Sequence, residues 1–216
     1  MEIVQTIDHT LLKPETTTED VRRLCQEAIE ASFKAVCVPP YYVQEATQQL
    51  QGAPTKVATV IGFPLGYSAT AAKVEEIKRA IDEGADEFDV VINISAVKSG
   101  NWNFVHNDID RMTTACHIRG KIIKIIFETA ALTQQEIIRL CDICTEINVD
   151  YVKTSTGYQG GATPEVVRLL REHLPSSIKI KASGGIRSLE DAQELLTAGA
   201  ERLGTSAGLS IVGKIA

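Results

Sequence analysis

Two lysines stand at the ends of apolar runs, each just before a glycine-bearing loop. The first is Lys153, in Tyr151-Val152-Lys153-Thr154-Ser155-Thr156-Gly157. The second is Lys181, in Lys179-Ile180-Lys181-Ala182-Ser183-Gly184-Gly185. An ammonium is strongly hydrated, and a lysine is rarely buried without a partner or a purpose. The purpose suggested here is attack on a carbonyl. A lysine amine forms an imine only after losing its proton, and a second ammonium close by, together with desolvation, lowers its pKa toward neutrality. Lys124, in Lys121-Ile122-Ile123-Lys124-Ile125-Ile126-Phe127, is a third member for that cluster. Asp89, inside Glu87-Phe88-Asp89-Val90-Val91-Ile92, could offset the charge and carry protons. The set points to Schiff-base chemistry that needs no metal. A single lysine of this kind would more simply snorkel outward from a strand end. Three lysines and one aspartate at strand ends make that the weaker reading.

Side chains alternate along a strand. Lys121 and Lys124 therefore lie on opposite faces, and only one can point inward. Lys179 shares a face with Lys181, and Tyr151 with Lys153, so one member of each pair must sit at a different depth. Three glycine-bearing stretches follow the last three expected strands: Thr156-Gly157-Tyr158, Ser183-Gly184-Gly185-Ile186-Arg187 and Gly204-Thr205-Ser206. Loops of this kind bind phosphate through backbone N–H groups at helix N-termini, here helices opened by Ser188 and Ser206. Arg187 could add charge or face solvent. Asp8 and Thr10 close an early strand. Cys37 lies in an apolar strand, where a small core residue is the stronger reading. His9 reads as a local hydrogen-bonding residue, and His106, His117 and His173 as helix-surface positions. Trp102 and Phe104 read as fixing a loop.

The elements that must position these groups follow from periodicity and punctuation. Strands are expected at Ile7–Leu12, Ala35–Val38, Lys56–Ile61, Glu87–Ile92, Lys121–Phe127, around Lys153, around Lys181, and at Glu201–Gly204. Helices are expected between them. Thr18 should cap the first, Ser68 a long one reaching Glu83, Thr133 with Glu136 one ending near Asn148, and Thr163-Pro164-Glu165 the next. A loop with Gly100 and Trp102 should lead to a helix reaching about His117. A last short helix should run from Ser206 to Ile215. Eight strand–helix units without a linker predict one (β/α)₈ TIM barrel over residues 1–216. Its active site would lie at the carboxyl ends of the strands. An open doubly wound sheet is the alternative, but no dinucleotide fingerprint follows the first strand.

The bulk properties narrow the chemistry. A net charge of -6 over 216 residues argues against binding nucleic acid or an anionic membrane. Five cysteines, of which only Cys141 and Cys144 come close to paired spacing, inside a helical pattern, read as reduced thiols, and too few ligands lie at zinc spacing for a metal site. Met1-Glu2-Ile3-Val4-Gln5 lacks a basic stretch followed by an apolar one, so a cytoplasmic location is expected.

With these residues in view, the chain resembles the deoxyribose-phosphate aldolases, which are metal-independent class I aldolases. The resemblance runs from about Ile7 to Gly208. It rests on Asp8-His9-Thr10-Leu11-Leu12-Lys13-Pro14, Val36-Cys37-Val38, Val60-Ile61-Gly62-Phe63-Pro64-Leu65-Gly66, Glu87-Phe88-Asp89-Val90-Val91-Ile92-Asn93 and Glu128-Thr129. Val152-Lys153-Thr154-Ser155-Thr156-Gly157, Ile180-Lys181-Ala182-Ser183-Gly184-Gly185-Ile186-Arg187 and Gly204-Thr205-Ser206 complete it. It implies that Lys153 forms the imine, that Lys181 perturbs its pKa, and that Asp89 relays protons. It further implies that Gly157, Gly185, Gly204 and Ser206 belong to phosphate-binding loops, that no cofactor is needed, and that the protein forms a homodimer or homotetramer. The implied reaction is reversible cleavage of 2-deoxy-D-ribose 5-phosphate, in the breakdown of deoxynucleosides. Gly184, Asp8, Thr10, Cys37 and Lys124 are expected to help bind the substrate. Another class I aldolase or a transaldolase on the same barrel, and a catalytically silent sugar-phosphate sensor, are the rival readings.

Overall fold

The structure, a computed structural model, describes residues 2–213. Eight parallel strands close into a barrel in chain order, β1 Ile7–Thr10, β2 Ala35–Val38, β3 Lys56–Ile61, β4 Glu87–Val91, β5 Ile122–Ile126, β6 Tyr151–Lys153, β7 Lys179–Ser183 and β8 Arg202–Thr205, with β8 paired back onto β1. Closure rules out the open doubly wound sheet. The helices are α1 Thr18–Ala31, α2 Val43–Gln49, α3 Thr70–Asp82, α4 Ile94–Lys98, α5 Trp102–His117, α6 Gln134–Ile147, α7 Pro164–His173, α8 Leu189–Thr197 and α9 Gly208–Ile211.

Strand alternation divides the chain's apolar and charged residues between two sides of one wall. Ile7, Val36, Val38, Phe88, Val90, Ile123, Ile125, Val152, Ile180, Ala182 and Leu203 all join the core between barrel and helices. Their neighbours Asp8, Glu87, Asp89, Lys124, Lys153, Lys181 and Arg202 turn the other way and are buried as well. The interior of such a barrel is usually filled by bulky branched side chains. Here the apolar part of the interior is small: Ala35, Cys37, Ala58 and Val60, with Leu12 and Phe63 packed against them.

Several helix starts match their local chemistry. Thr133 and Glu136 make a reciprocal capping box on α6, Thr163 caps α7 with Pro164 at its first position, and Ser188 and Asp191 cap α8. Others correct the sequence reading. Thr17, boxed with Asp20, caps α1 in place of Thr18. The cap position of α3 is Ala69, which makes no side-chain bond, and not Ser68. The first residue of that helix, Thr70, donates its hydroxyl to Asp108 on α5 instead, at 2.6 Å. Asp108 also receives the buried amine of Lys73 at 2.8 Å, so α3 and α5 are tied by a polar triad within their contact. The loop expected after β4 contains a short helix, α4, capped by Asn93. The last helix begins at Gly208, after Ala207, and not at Ser206. Its expected end at Ile215 lies outside the described residues.

All five cysteines are buried and unpaired. Burial raises their thiols, to about 11 for Cys37, to about 12 for Cys25, Cys116 and Cys141, and well above the usual value for Cys144. A group raised on folding contributes stability that is intact below its unfolded pKa and lost as pH climbs toward the folded one. The window opens near pH 9, where thiols of an unfolded chain ionise, and each thiol then removes about 1.4 kcal/mol per pH unit. The melting temperature is therefore expected to fall steeply between pH 9 and about 10.5 in reducing buffer. A melting temperature unchanged across that interval would show that these thiols are not held neutral by burial.

Candidate active site

The inward residues of β1, β4, β5, β6, β7 and β8 meet in one buried ionic network. Strand register sets neighbours side by side: Asp89 against Lys124, Lys153 against Lys181, Lys181 against Arg202, and Asp8 against Gly204. The amines of Lys153 and Lys181 each lie 2.7 Å from the same Asp89 Oδ2. They are therefore within twice that distance of one another. Lys124 Nζ donates to Asp89 Oδ1 at 2.9 Å and lies 2.7 Å from Glu87 Oε2. Lys181 also donates to Asp8 Oδ2, while Asp8 Oδ1 accepts from Arg202 at 2.7 Å. Arg202 reaches Glu87 at 3.1 Å and the Tyr151 hydroxyl at 3.3 Å.

Each charge in this network is held by its neighbours against the cost of burial. Burial pushes the Asp89 carboxyl up, but the ammoniums of Lys124, Lys153 and Lys181 outweigh it and hold Asp89 well below the usual carboxylate range. Burial likewise opposes the Asp8 charge, and Lys181, Arg202 and Lys124 overcome it, so that carboxyl is lowered too. Burial alone would lower Lys181; Asp8 and Asp89 raise it above the ordinary lysine value. Lys124 is raised in the same way by Asp89 and Glu87. These four groups keep their charges throughout the neutral range.

A cavity of about 450 Å³ opens above this layer at the carboxyl ends of the strands. Lys153 is the network member that lines it, together with Thr10 from β1 and with the loops after β6, β7 and β8. Gly157, Gly184, Gly185, Gly204, Ser206 and Arg187 are all in its wall. Gly204 is required by space: a Cβ there would lie 2.5 Å from Ser183 Oγ and 3.1 Å from Lys181 Cε. Gly184 is required by conformation and by space, with φ +87° and a Cβ position 2.8 Å from the Gly160 carbonyl oxygen. Ser183 lines the cavity, and its buried hydroxyl has no hydrogen-bond partner among the described residues. Among the described residues, no group of three or more His, Cys, Asp and Glu side chains could hold a metal ion.

Asp8, Cys37 and Lys124, expected at the substrate, do not line this cavity; they are fully buried beneath it. Asp8 and Lys124 instead touch Lys181 and Asp89. Cys37 packs beside Ala35, Ala58 and Val60 as a core residue. Lys124 is the inward lysine of its strand, and Lys121 pairs outside with Asp86 at 3.6 Å. Lys179 is exposed at the other end of β7, over the ring of the buried Tyr151.

Three parts of the site were given no role from sequence: Glu87, Arg202 with Tyr151, and Glu128. Glu87 shares the alternation of Asp89, which was the available signal. Glu128, at φ +56° just after β5, is buried and accepts from both the hydroxyl and the backbone N–H of Thr156. It thereby clamps the loop that leads from Lys153 to Gly157.

Fold and site together define an enzyme of the (β/α)₈-barrel class with its reactive groups at the carboxyl ends of the strands. The family model for DeoC/LacD family aldolases matches residues 3–214. A curated relative from Thermococcus kodakarensis, named deoxyribose-phosphate aldolase, is 50% identical over 98% of this chain and 96% of its own length. One of the same name from Clostridioides difficile is 48% identical over 94% and 92%. The tetrameric deoxyribose phosphate aldolase from Aeropyrum pernix superposes with a TM-score of 0.91 at 33% identity, over 98% of this chain and 89% of that one. The chain belongs to the DeoC/LacD aldolase family and is an aldolase, a carbon–carbon lyase.

Proposed function

We propose that this aldolase cleaves 2-deoxy-D-ribose 5-phosphate reversibly to D-glyceraldehyde 3-phosphate and acetaldehyde, through an imine on Lys153. The observation that carries the reading is that Lys153 faces the cavity from a buried network of four cations and three carboxylates, Asp8, Glu87 and Asp89. Lys153 has one carboxylate partner, Asp89, which is already shared with Lys124 and Lys181. Of the three amines it alone lines the cavity, where a carbonyl can reach it.

The neutral amine adds to the C1 aldehyde of the open-chain sugar, and loss of water gives an iminium. Removal of the C3 hydroxyl proton, directly or through a water at Asp89 and Lys181, breaks C2–C3. The bonding pair moves to the iminium, leaving an enamine on Lys153 and releasing D-glyceraldehyde 3-phosphate. Protonation at C2 and hydrolysis of the imine release acetaldehyde and restore the amine. Lys181 stays charged and orients Asp89, and the glycine loops hold the phosphate at fixed reach from C1. The curated relatives' names support this substrate, and the Aeropyrum pernix tetramer supports self-association of this chain.

Borohydride reduction in the presence of deoxyribose 5-phosphate, followed by peptide mass mapping, tests the mechanism. The adduct is expected on the peptide carrying Lys153. Turnover of fructose phosphates in preference to deoxyribose 5-phosphate would assign the barrel to a different aldolase specificity. Binding of the sugar phosphate without any trapped adduct would mark a sensor.

A further inference from the structure

The wall of the cavity is cationic in an acidic protein. It carries Lys13, Lys153 and Arg187 and no aspartate or glutamate, whereas the whole chain has a net charge of -6. Two of the three cations have carboxylate neighbours. Lys153 is 2.7 Å from Asp89. Arg187 interacts electrostatically with Asp191, which also accepts its backbone N–H at 2.9 Å. Lys13, among the described residues, has no ion-pair partner.

The backbone that carries Lys13 is nevertheless fixed on both sides. Leu11 N–H donates to the Cys37 carbonyl at 3.0 Å, and Thr16 N–H to the Lys13 carbonyl at 3.1 Å. The Tyr158 hydroxyl donates to the Leu12 carbonyl at 3.1 Å, tying this loop to the one that holds Gly157. The Tyr42 hydroxyl donates to the Thr16 carbonyl at 2.7 Å. Pro14 further restricts residue 13 to extended backbone. Because β1 pairs with β8, the Lys13 loop adjoins the loop of Gly204 and Ser206. A pinned loop thus places Lys13, without an ion-pair partner among the described residues, on a cavity whose other wall is lined by the glycine-bearing loops after β6, β7 and β8, where an anion would meet backbone N–H groups. Those groups supply only partial charges, while a phosphate monoester carries nearly two negative charges at neutral pH.

We infer that Lys13, together with Arg187, binds the substrate phosphate, so that the loop after β1 completes the anion subsite formed by the three glycine loops. This rests on the sugar-phosphate reading above. Lys13 sets the preference for a phosphorylated over an unphosphorylated substrate and does not touch the reacting carbons.

The test compares kcat/KM for 2-deoxy-D-ribose 5-phosphate with that for unphosphorylated 2-deoxy-D-ribose, in the parent, Lys13→Gln and Lys13→Arg. In Lys13→Gln the ratio is expected to fall about tenfold through KM, the loss of one charge-assisted hydrogen bond. KM should also depend less on ionic strength, and Lys13→Arg should restore both. A ratio unchanged in Lys13→Gln, or an equal fall for both substrates, would overturn the inference. Calorimetric titration with inorganic phosphate provides a readout independent of turnover. Weaker binding by Lys13→Gln than by the parent supports the subsite, and equal binding overturns it. If the parent cleaves neither sugar, the aldolase specificity is wrong, and the phosphate titration alone decides the role of Lys13.

Discussion

Replacement of Lys153 by alanine is expected to lower kcat/KM for deoxyribose 5-phosphate by on the order of 10⁴ or more, the scale on which loss of a covalent nucleophile is felt. No neighbouring amine can take its place. Lys181 and Lys124 are fully buried beneath the cavity, and each is held by two carboxylates within hydrogen-bond reach. The fold should survive the change, because Asp89 keeps Lys124 at 2.9 Å and Lys181 at 2.7 Å. Lys153→Arg separates charge from nucleophilicity: a guanidinium keeps the positive charge but does not give up its proton. It is expected to be as inactive as the alanine variant while melting close to the parent. Parent-like turnover by either variant would sink the imine mechanism, and steady-state kinetics beside a thermal melt is the measurement.

Arg202→Met is expected to have the largest effect on stability. Arg202 is 3% exposed and bonds Asp8, Glu87 and the Tyr151 hydroxyl. Its removal leaves two buried carboxylates short of a partner, since Asp8 then depends on Lys181 and Glu87 on Lys124. Breaking one side of such a buried network costs about 3–5 kcal/mol. At about 2–4 °C per kcal/mol for a domain of this size, the melting temperature should drop by on the order of 10 °C. Restoring the charge count with Arg202→Met/Glu87→Gln should recover part of the loss, because the two sites are coupled. A single variant that melts with the parent would mean that water reaches Asp8 and Glu87 and that the network is not dry.

Much of this architecture was legible from local pattern. The eight strand–helix units came from apolar runs punctuated by glycine and proline, a signal carried by consecutive residues. Lys153 at the end of β6 and Lys181 within β7 stood out because ammonium groups seldom sit in apolar strands. Glycines such as Gly184 announced loops because only glycine adopts their backbone without strain. Misplaced caps, Thr18 for Thr17 and Ser68 for Ala69, show the limit of that pattern. Thr17 and Thr18 are chemically equivalent until the backbone decides which one precedes the first turn, and at α3 the cap position falls on an alanine, which no hydroxyl pattern announces.

Arg202 shows what could not be read. In Ala200-Glu201-Arg202-Leu203-Gly204 it resembles an ordinary surface charge. It becomes an interior residue only because the closing of the barrel brings β8 against β1 and sets it beside Asp8. The same closure turned Asp8, Cys37 and Lys124 from expected substrate contacts into groups beneath the cavity floor, since depth along a barrel axis depends on strand stagger and not on residue type. Sequence by itself determined that the amines and a carboxylate lie on strands of one barrel and that glycine loops follow its last strands. Only the tertiary structure decided which amine faces the cavity, because that choice depends on pairings between strands far apart in the chain.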